Sequence, residues 1–321
     1  MSGRGGDVAR AAALLAQGRL VAFPTETVYG LGADASNDVA VAQIFIAKGR
    51  PTAHPLIVHL APEARLDDWA IEIPEAARRL AAAAWPGPLT MVLNRSPRVA
   101  AATTGGGATV GLRVPAHPMA QALLRAFGGG IAAPSANRFG GISPTTADHV
   151  APFPELAYLL DGGPCDVGVE STIVDLSRGH AVLLRPGGLA RETIEALIGP
   201  LAARDASAPA APGTLASHYA PHALVVAVEP HEVPAHVAAA RGKVAVLAPA
   251  GAFATWPPLA AITAALPDDA PGMARALYAA LHDLDAAGVD VVIAALPPAA
   301  GLGEAVADRL RRAAGPREGK P

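Results

Sequence analysis

The chain has 321 residues, 51% of them apolar and only 17% charged, with a formal net charge of −3. That length suits two domains with sizeable cores, and the acidic balance argues against a non-specific nucleic-acid binder. The single cysteine, Cys165, excludes an internal disulfide framework and a multi-cysteine zinc site, and in the setting DGGPCDVG it reads as a small buried thiol.

The N-terminal MSGRGGDVAR lacks the apolar core of a signal peptide. No run of about twenty apolar residues free of charges suggests a membrane span. A cytoplasmic location is therefore expected. Asp7 is expected to cap a helix over Val8–Gln17, which Gly18 ends. Leu20–Phe23 is a short apolar run, as a strand buried on both faces requires, and Pro24 ends it because proline gives the ladder no N–H. Thr25, Glu26, Thr27 and Tyr29 follow, and Gly30 and Gly32 permit a tight turn or a close backbone approach.

Asp38 reads as the cap of the next helix. Val41, Ile44 and Phe45 mark its inner face, and Lys48 continues that stripe at i+7. Arg50 follows, Pro51 stops the helix, and Pro55–His59 reads as a strand. Two cations beside a hydroxyl-rich turn suit an anion such as a phosphate. Each piece also has an ordinary reading, as a simple turn or as a helix end complementing its dipole.

Pro74–Ala84 reads as a helix and Leu89–Leu93 as a strand. The three glycines of Thr103-Thr-Gly-Gly-Gly-Ala-Thr109 suit either a ligand-facing loop or a plain hairpin loop. In the strand Val110–Val114, Arg113 faces away from Leu112 and Val114. An arginine in a mostly apolar strand needs a partner, either a structural carboxylate or a substrate's. A helix begins at His117 and ends near Phe127, and Ile131–Ala133 is a strand running into Pro134-Ser-Ala-Asn137. A hydroxyl and an amide just past a strand's C-terminal end sit where open α/β sheets bind ligands. Ser143 lies in a polar loop or lid, Tyr158–Leu160, Glu170–Asp175 and Ala181–Arg185 read as strands, and the helix Arg191–Ile198 closes the first domain.

Residues 201–217 are rich in alanine, serine and proline and read as a linker, ending in Ser217-His-Tyr-Ala-Pro-His222. Beyond it, strands at Leu224–Val228, Val244–Leu247 and Val289–Ile293 alternate with helices at Pro234–Arg241, Met273–Ala287 and Leu302–Ala314. That rhythm implies a small parallel sheet with flanking helices. The basic run Asp308-Arg-Leu-Arg-Arg312 reads as a solvated helix face. Walker A, H-E-x-x-H, G-x-S-x-G and G-x-G-x-x-G patterns are absent. The residues alone support an anion site built from Lys48, Arg50, Arg113, Arg185 and hydroxyls, compatible with a nucleotide and not unique to one.

Taken together, PTETVYGLG, K-x-R-P, PLIVH and the later His218-Tyr219-Ala220-Pro221 closely resemble the YrdC-like family of threonylcarbamoyl-AMP synthases, in its long two-domain form. The resemblance implies an α/β fold: a YrdC-like twisted mixed sheet with helices over residues 1–200, a linker at 201–222, and a smaller Rossmann-like domain at 223–315. It implies condensation of L-threonine, bicarbonate or carbon dioxide, and ATP into threonylcarbamoyl-AMP and pyrophosphate, with magnesium accompanying ATP. The product serves modification of tRNA beside the anticodon, so a downstream tRNA threonylcarbamoyl transferase is the implied partner, and direct tRNA binding is not required.

By motif, Thr27, His59, Arg113, Ala133 (through its backbone) and Ser171 fall where the family holds threonine. Lys48, Arg50, His54, Thr109, Ser135, Asn137, Ser143, Arg185 and Tyr219 fall where it contacts ATP. Lys48 and Arg50 are the expected catalytic cations, and no metal ligands are expected from the protein. The HYAP segment is implied to pack over the active site. One departure stands out: the family usually has asparagine before PLIVH, and this chain has His54. Competing readings are an RNA-binding module, a ribosome-assembly factor, and a carbamoyl-transfer enzyme of the hydrogenase-maturation type. The last needs zinc-finger cysteines and an acylphosphatase segment that the chain lacks.

Overall fold

The computed structural model describes residues 3–316. Strand β1 (Gly3–Gly5) precedes helix α1 (Val8–Ala16), whose cap Asp7 accepts the Arg10 N–H as expected. Strand β2 (Leu20–Phe23) is wholly buried, and an unforeseen β3 (Gly30–Asp34) runs antiparallel to it. Of the two uses open to Gly30 and Gly32, a tight turn or a close backbone approach, the second is found, toward other strands. Both are strand residues because the sheet is crowded there: a Cβ on Gly32 would lie 2.7 Å from Ile131 and 2.8 Å from Phe23.

Helix α2 (Asp38–Lys48) is capped by Asn37, not Asp38. The Asn37 carboxamide oxygen accepts from the N–H groups of Val39 and Ala40, while the Asp38 carboxylate turns away to Ala102 N at 2.8 Å. Gly49 closes the helix in the left-handed conformation. Then come β4 (Ile57–His59), β5 (Ala70–Ile71), α3 (Glu75–Ala84), β6 (Leu89–Arg95), β7 (Thr109–Arg113), α4 (Pro118–Phe127) and β8 (Ile131–Ala132). Strands β9 (Leu156–Leu160), β10 (Thr172–Asp175) and β11 (Val182–Arg185), and helix α5 (Arg191–Ile198), complete this part.

These eleven strands form one mixed sheet in the order β1-β9-β2-β3-β8-β4-β7-β6-β10-β11, with β5 pairing on β6. Helices α1 and α4 cover one face through Ala11, Leu15, Leu123 and Leu124. Leu31, Val41, Ile44, Leu80, Leu89, Met91 and Leu112 belong to the main core.

The rest of the chain builds β12 (Leu224–Val228), α6 (Val233–Ala239), β13 (Val244–Pro249), β14 (Ile262–Leu266), α7 (Ala270–Ala286), β15 (Val291–Ala295) and α8 (Leu302–Ala313). The four strands are all parallel, in the order β12-β15-β13-β14. Edge strand β14 was not anticipated, because its ITAAL sequence is largely exposed and lacks a buried alternation. An apolar cluster joins the two halves: Val28, Ile142 and Val169 meet Tyr219, Leu277 and Tyr278. Among the described residues no helix is long and apolar enough to cross a membrane.

The 201–217 stretch has no regular helix but is not free. Ala202 bridges to Val182, Arg178 holds Asp205 at 3.1 Å, and Ala211 is buried against Ile57 and Leu184.

Candidate active site

Strands β4 and β7 pair in parallel and end at one cavity, where β10 begins. Its lining includes Thr27, Arg50, His59, Arg113, Ala133, Ser135, Ser171, Arg185, His218 and Tyr219. The cavity holds about 50 Å³, enough for a few waters or a small acid and too little for a nucleotide. A second cavity of about 390 Å³ adjoins it, lined by Thr104, Gly105, Thr109, Pro209 and Ala210; Ile57 and Pro212 border both. Linker residues line both cavities, Pro212 and Gly213 the first and Pro209, Ala210 and Pro212 the second.

Arg113 is buried and paired with Glu26, its Nη2 2.7 Å from Oε1. The second Glu26 oxygen accepts Ala116 N, and Arg113 Nε donates to Gly87 O at 3.3 Å. Of the two partners foreseen for this arginine, the structural carboxylate is the one present. His59 lies beside it with Nδ1 buried and unpartnered. Burial, then the Arg113 charge, push its pKa down to about 3, so the imidazole is neutral. Thr25 Oγ1 contacts Thr27 Oγ1 at 2.8 Å, and Ser171 Oγ contacts Thr90 Oγ1 at 2.8 Å. The Ala133 N–H already donates to Ile57 O at 2.9 Å.

The cations are deeply set. Lys48 leaves α2 on its buried face, as the stripe required, and its ammonium donates to the carbonyls of Ser135 (2.6 Å) and Asn137. Two of its three N–H groups therefore hold the Ser135–Asn137 loop, and one remains. Burial, then Arg50 and Arg138, lower its pKa well below the usual range. Arg50 donates to Pro55 O at 3.0 Å, while its Nε is buried without a partner. Burial lowers its pKa to about 10. Arg185 reaches the carbonyl of Ser171 (2.8 Å), the carbonyl of Pro212 (3.0 Å) and the Tyr219 hydroxyl (3.5 Å).

Five expected nucleotide contacts stand apart from the central cavity, Lys48 among them. Thr109 opens on the second cavity. His54 packs edge-on to Phe139 at 5.7 Å, and burial, then Arg50, lower its pKa. Asn137 spends its amide on Arg138 O and Gly141 O, leaving Oδ1 buried and unpaired. Ser143 is fully buried and donates to Glu170 at 2.6 Å.

Tyr219 is buried with φ +63, a left-handed conformation costly for a bulky residue. His218 stacks edge-on to Phe139 and Tyr219, with Nδ1 unpartnered and its pKa pushed by burial to about 3.

The reading of 308–312 as a solvated face does not hold. Arg309 is 1% exposed and bonds Glu170 through Nε at 2.7 Å, and Arg312 pairs with Asp308 and reaches Leu215 O. Arg309 lies on the apolar stripe Val306, Leu310, Ala313, where a charge must find a partner. Glu26, Glu170, Tyr278 and Arg309 are the site residues that sequence reasoning gave no role. Cys165 is buried with its thiol pushed up to about 12, an inert setting.

A family model described as "Telomere recombination" matches residues 13–187, and one described as "Threonylcarbamoyl-AMP synthase, C-terminal domain" matches residues 189–315. The chain belongs to the threonylcarbamoyl-AMP synthase family. The threonylcarbamoyl-AMP synthase of Pyrococcus abyssi is 44% identical, covering 96% of this chain and 94% of its own. That of Bacillus subtilis is 43% identical, covering 97% and 94%. The crystal structure of P. abyssi Sua5 complexed with L-threonine superimposes with a TM-score of 0.90 at 41% identity, covering 98% of this chain and 97% of that one. Membership in the threonylcarbamoyl-AMP synthase family makes this a nucleotidyl-transferring enzyme and sets aside the RNA-binding and ribosome-assembly readings.

Proposed function

We propose that this chain condenses L-threonine, bicarbonate or carbon dioxide, and ATP into threonylcarbamoyl-AMP and pyrophosphate. The observation that carries the reading is the central cavity: Thr27, His59, Arg113 and Ser171 converge there with the cations Arg50 and Arg185. The threonine amine attacks the carbon of carbon dioxide and loses a proton, or condenses with bicarbonate and loses water, giving a carbamate. A carbamate oxygen then attacks the α-phosphorus, and the bond to the bridging oxygen of pyrophosphate breaks. Such chemistry needs positioning and charge stabilisation more than covalent catalysis.

Arg113, with its remaining donors, takes the threonine carboxylate, and neutral His59 can serve the hydroxyl or amine through its unpaired Nδ1. Ser171 and the backbone at Ala133 flank that position. Arg50 Nε and Asn137 Oδ1 are buried polar atoms without partners, which a bound nucleotide would satisfy. Lys48, Ser135, Arg185 and Tyr219 hold the phosphates, with Lys48 acting chiefly by fixing the Ser135–Asn137 loop. Thr109 and His54 border the nucleotide's outer part. Pro212 borders both cavities, so for ATP to span them the linker must lift from Arg185. Residues 1–200, 201–222 and 223–315 are read as catalytic domain, lid-bearing linker and C-terminal domain.

Magnesium enters as the ATP complex. Among the described residues no group of three or more His, Cys, Asp or Glu is disposed to hold a metal, and the carboxylate on the cavity, Glu170, is already saturated. Phosphates and water are the fitting ligands. A cytoplasmic enzyme of this kind would pass its labile product to a tRNA threonylcarbamoyl transferase.

The experiment is pyrophosphate release from ATP with bicarbonate, with and without L-threonine, using serine and glycine as controls. Threonine-dependent release that vanishes in Arg50→Ala is expected. Absence of both ATP and threonine binding overturns the reading and revives an RNA-binding role.

A further inference from the structure

Glu170 is the only carboxylate among the described residues that line the central cavity. It precedes β10 on the catalytic sheet, yet its charge is met from the far end of the chain. Arg309 Nε of α8 lies 2.7 Å from Oε2, and the Tyr278 hydroxyl of α7 lies 2.9 Å from the same oxygen. Ser143 Oγ completes the set on Oε1. The two charged side chains are 8% and 1% exposed, so water screens neither.

Burial alone would raise the pKa of Glu170. Arg309 and then Arg185 outweigh it and hold the carboxyl at about 2, so it is ionised. Arg185 cannot replace Arg309, because its donors are directed at Ser171, Pro212 and Tyr219. A negative charge on this wall would oppose a polyphosphate unless it were cancelled locally. Ser143 adds a second consequence. A hydroxyl has one hydrogen, and here it goes to Glu170. For Ser143 to donate to a phosphate it must leave Glu170, whose remaining side-chain hydrogen bonds come from Arg309 and Tyr278.

Building on the ATP reading above, we propose that Arg309 is a positioning residue for ATP: it neutralises Glu170, so the C-terminal part of the chain completes the charge balance of the catalytic site. This gives α8 a function in the first domain's chemistry without touching substrate.

The test is ATP and threonine affinity, by calorimetry on the full-length chain, for wild type, Arg309→Met, Glu170→Gln and the double variant. Methionine keeps the packing of the aliphatic stem and removes the charge. Arg309→Met is expected to weaken ATP about 10- to 100-fold, the effect of an uncompensated buried charge, with threonine affinity little changed. The double variant is expected to recover the ATP affinity of Glu170→Gln, because the charge needing compensation is gone. Should Arg309→Met fail to fold, the comparison of the double variant with Glu170→Gln still decides. A double variant that binds ATP tenfold or more weakly than Glu170→Gln overturns the proposal, as does loss of ATP and threonine affinity in parallel. Wild type that binds no ATP overturns the ATP reading itself, and this proposal with it.

Discussion

Arg113, which lines the central cavity, and Glu26 form a buried ion pair, Nη2 to Oε1 at 2.7 Å. The pair joins the end of β7 to the turn after β2 and fixes the guanidinium plane toward the cavity. Removing one partner leaves the other charge buried and alone, which costs about 3–5 kcal/mol. Glu26→Ala is therefore expected to lower the unfolding midpoint and to raise the KM for threonine more than that for ATP. Equal KM changes for both substrates would show that Glu26 does not act through Arg113.

Two buried histidines contribute to the acid sensitivity of the fold. His59 and His218 each have a folded-state pKa near 3, against about 6.5 in the unfolded chain. Above pH 6.5 both states are neutral and stability is at its plateau. Between 6.5 and 3 the unfolded chain binds protons that the folded chain refuses, so stability falls as pH drops. At pH 5 the loss is about 2 kcal/mol for each histidine. Urea unfolding at pH 8 and pH 5 measures it, and His59→Gln is expected to shrink the difference by about 2 kcal/mol, leaving the His218 share.

Gly213 has φ +71, and a Cβ there would lie 1.9 Å from the Tyr219 hydroxyl. Gly213→Ala is expected to displace Tyr219 from Arg185 and to weaken ATP retention. Gly179→Ala is the control: its φ is +79, but no atom lies within 4 Å of its Cβ. It carries the same backbone strain of about 1–2 kcal/mol and should leave ATP affinity unchanged.

His54 shares Phe139 with Arg50, whose guanidinium lies 5.7 Å from the ring centroid, and asparagine is the residue that the sequence resemblance implies there. His54→Asn is expected to keep or tighten ATP affinity in a direct binding assay. A large loss would show the site to be rebuilt around histidine.

The helical stripe that marked Lys48 as a buried cation was equally present around Arg309, at Val306, Leu310 and Ala313. Its neighbours Arg311 and Arg312 obscured it, since a run of basic residues resembles a solvated face. Arg311 is in fact exposed and Arg309 buried, two residues apart on opposite sides of one helix. Glu26 was visible between two threonines, but nothing local distinguished a substrate-facing acid from the structural partner of Arg113. The β3 glycines signalled close approach without saying what approached. Ile131 and Phe23, from other strands, supplied the answer.

Local order was legible in the chain itself. Caps, prolines, apolar periodicity and short motifs act over a few residues, so they determined most helices and strands, the βα rhythm of the C-terminal part and the family. What only the tertiary structure decided is pairing across distance: Arg113 with Glu26, 87 residues apart, and Arg309 with Glu170, 139 apart. A buried charge announces that it needs a partner, because desolvation is costly wherever it occurs. Which partner meets it depends on chain folding over those distances, and no local pattern encodes that choice.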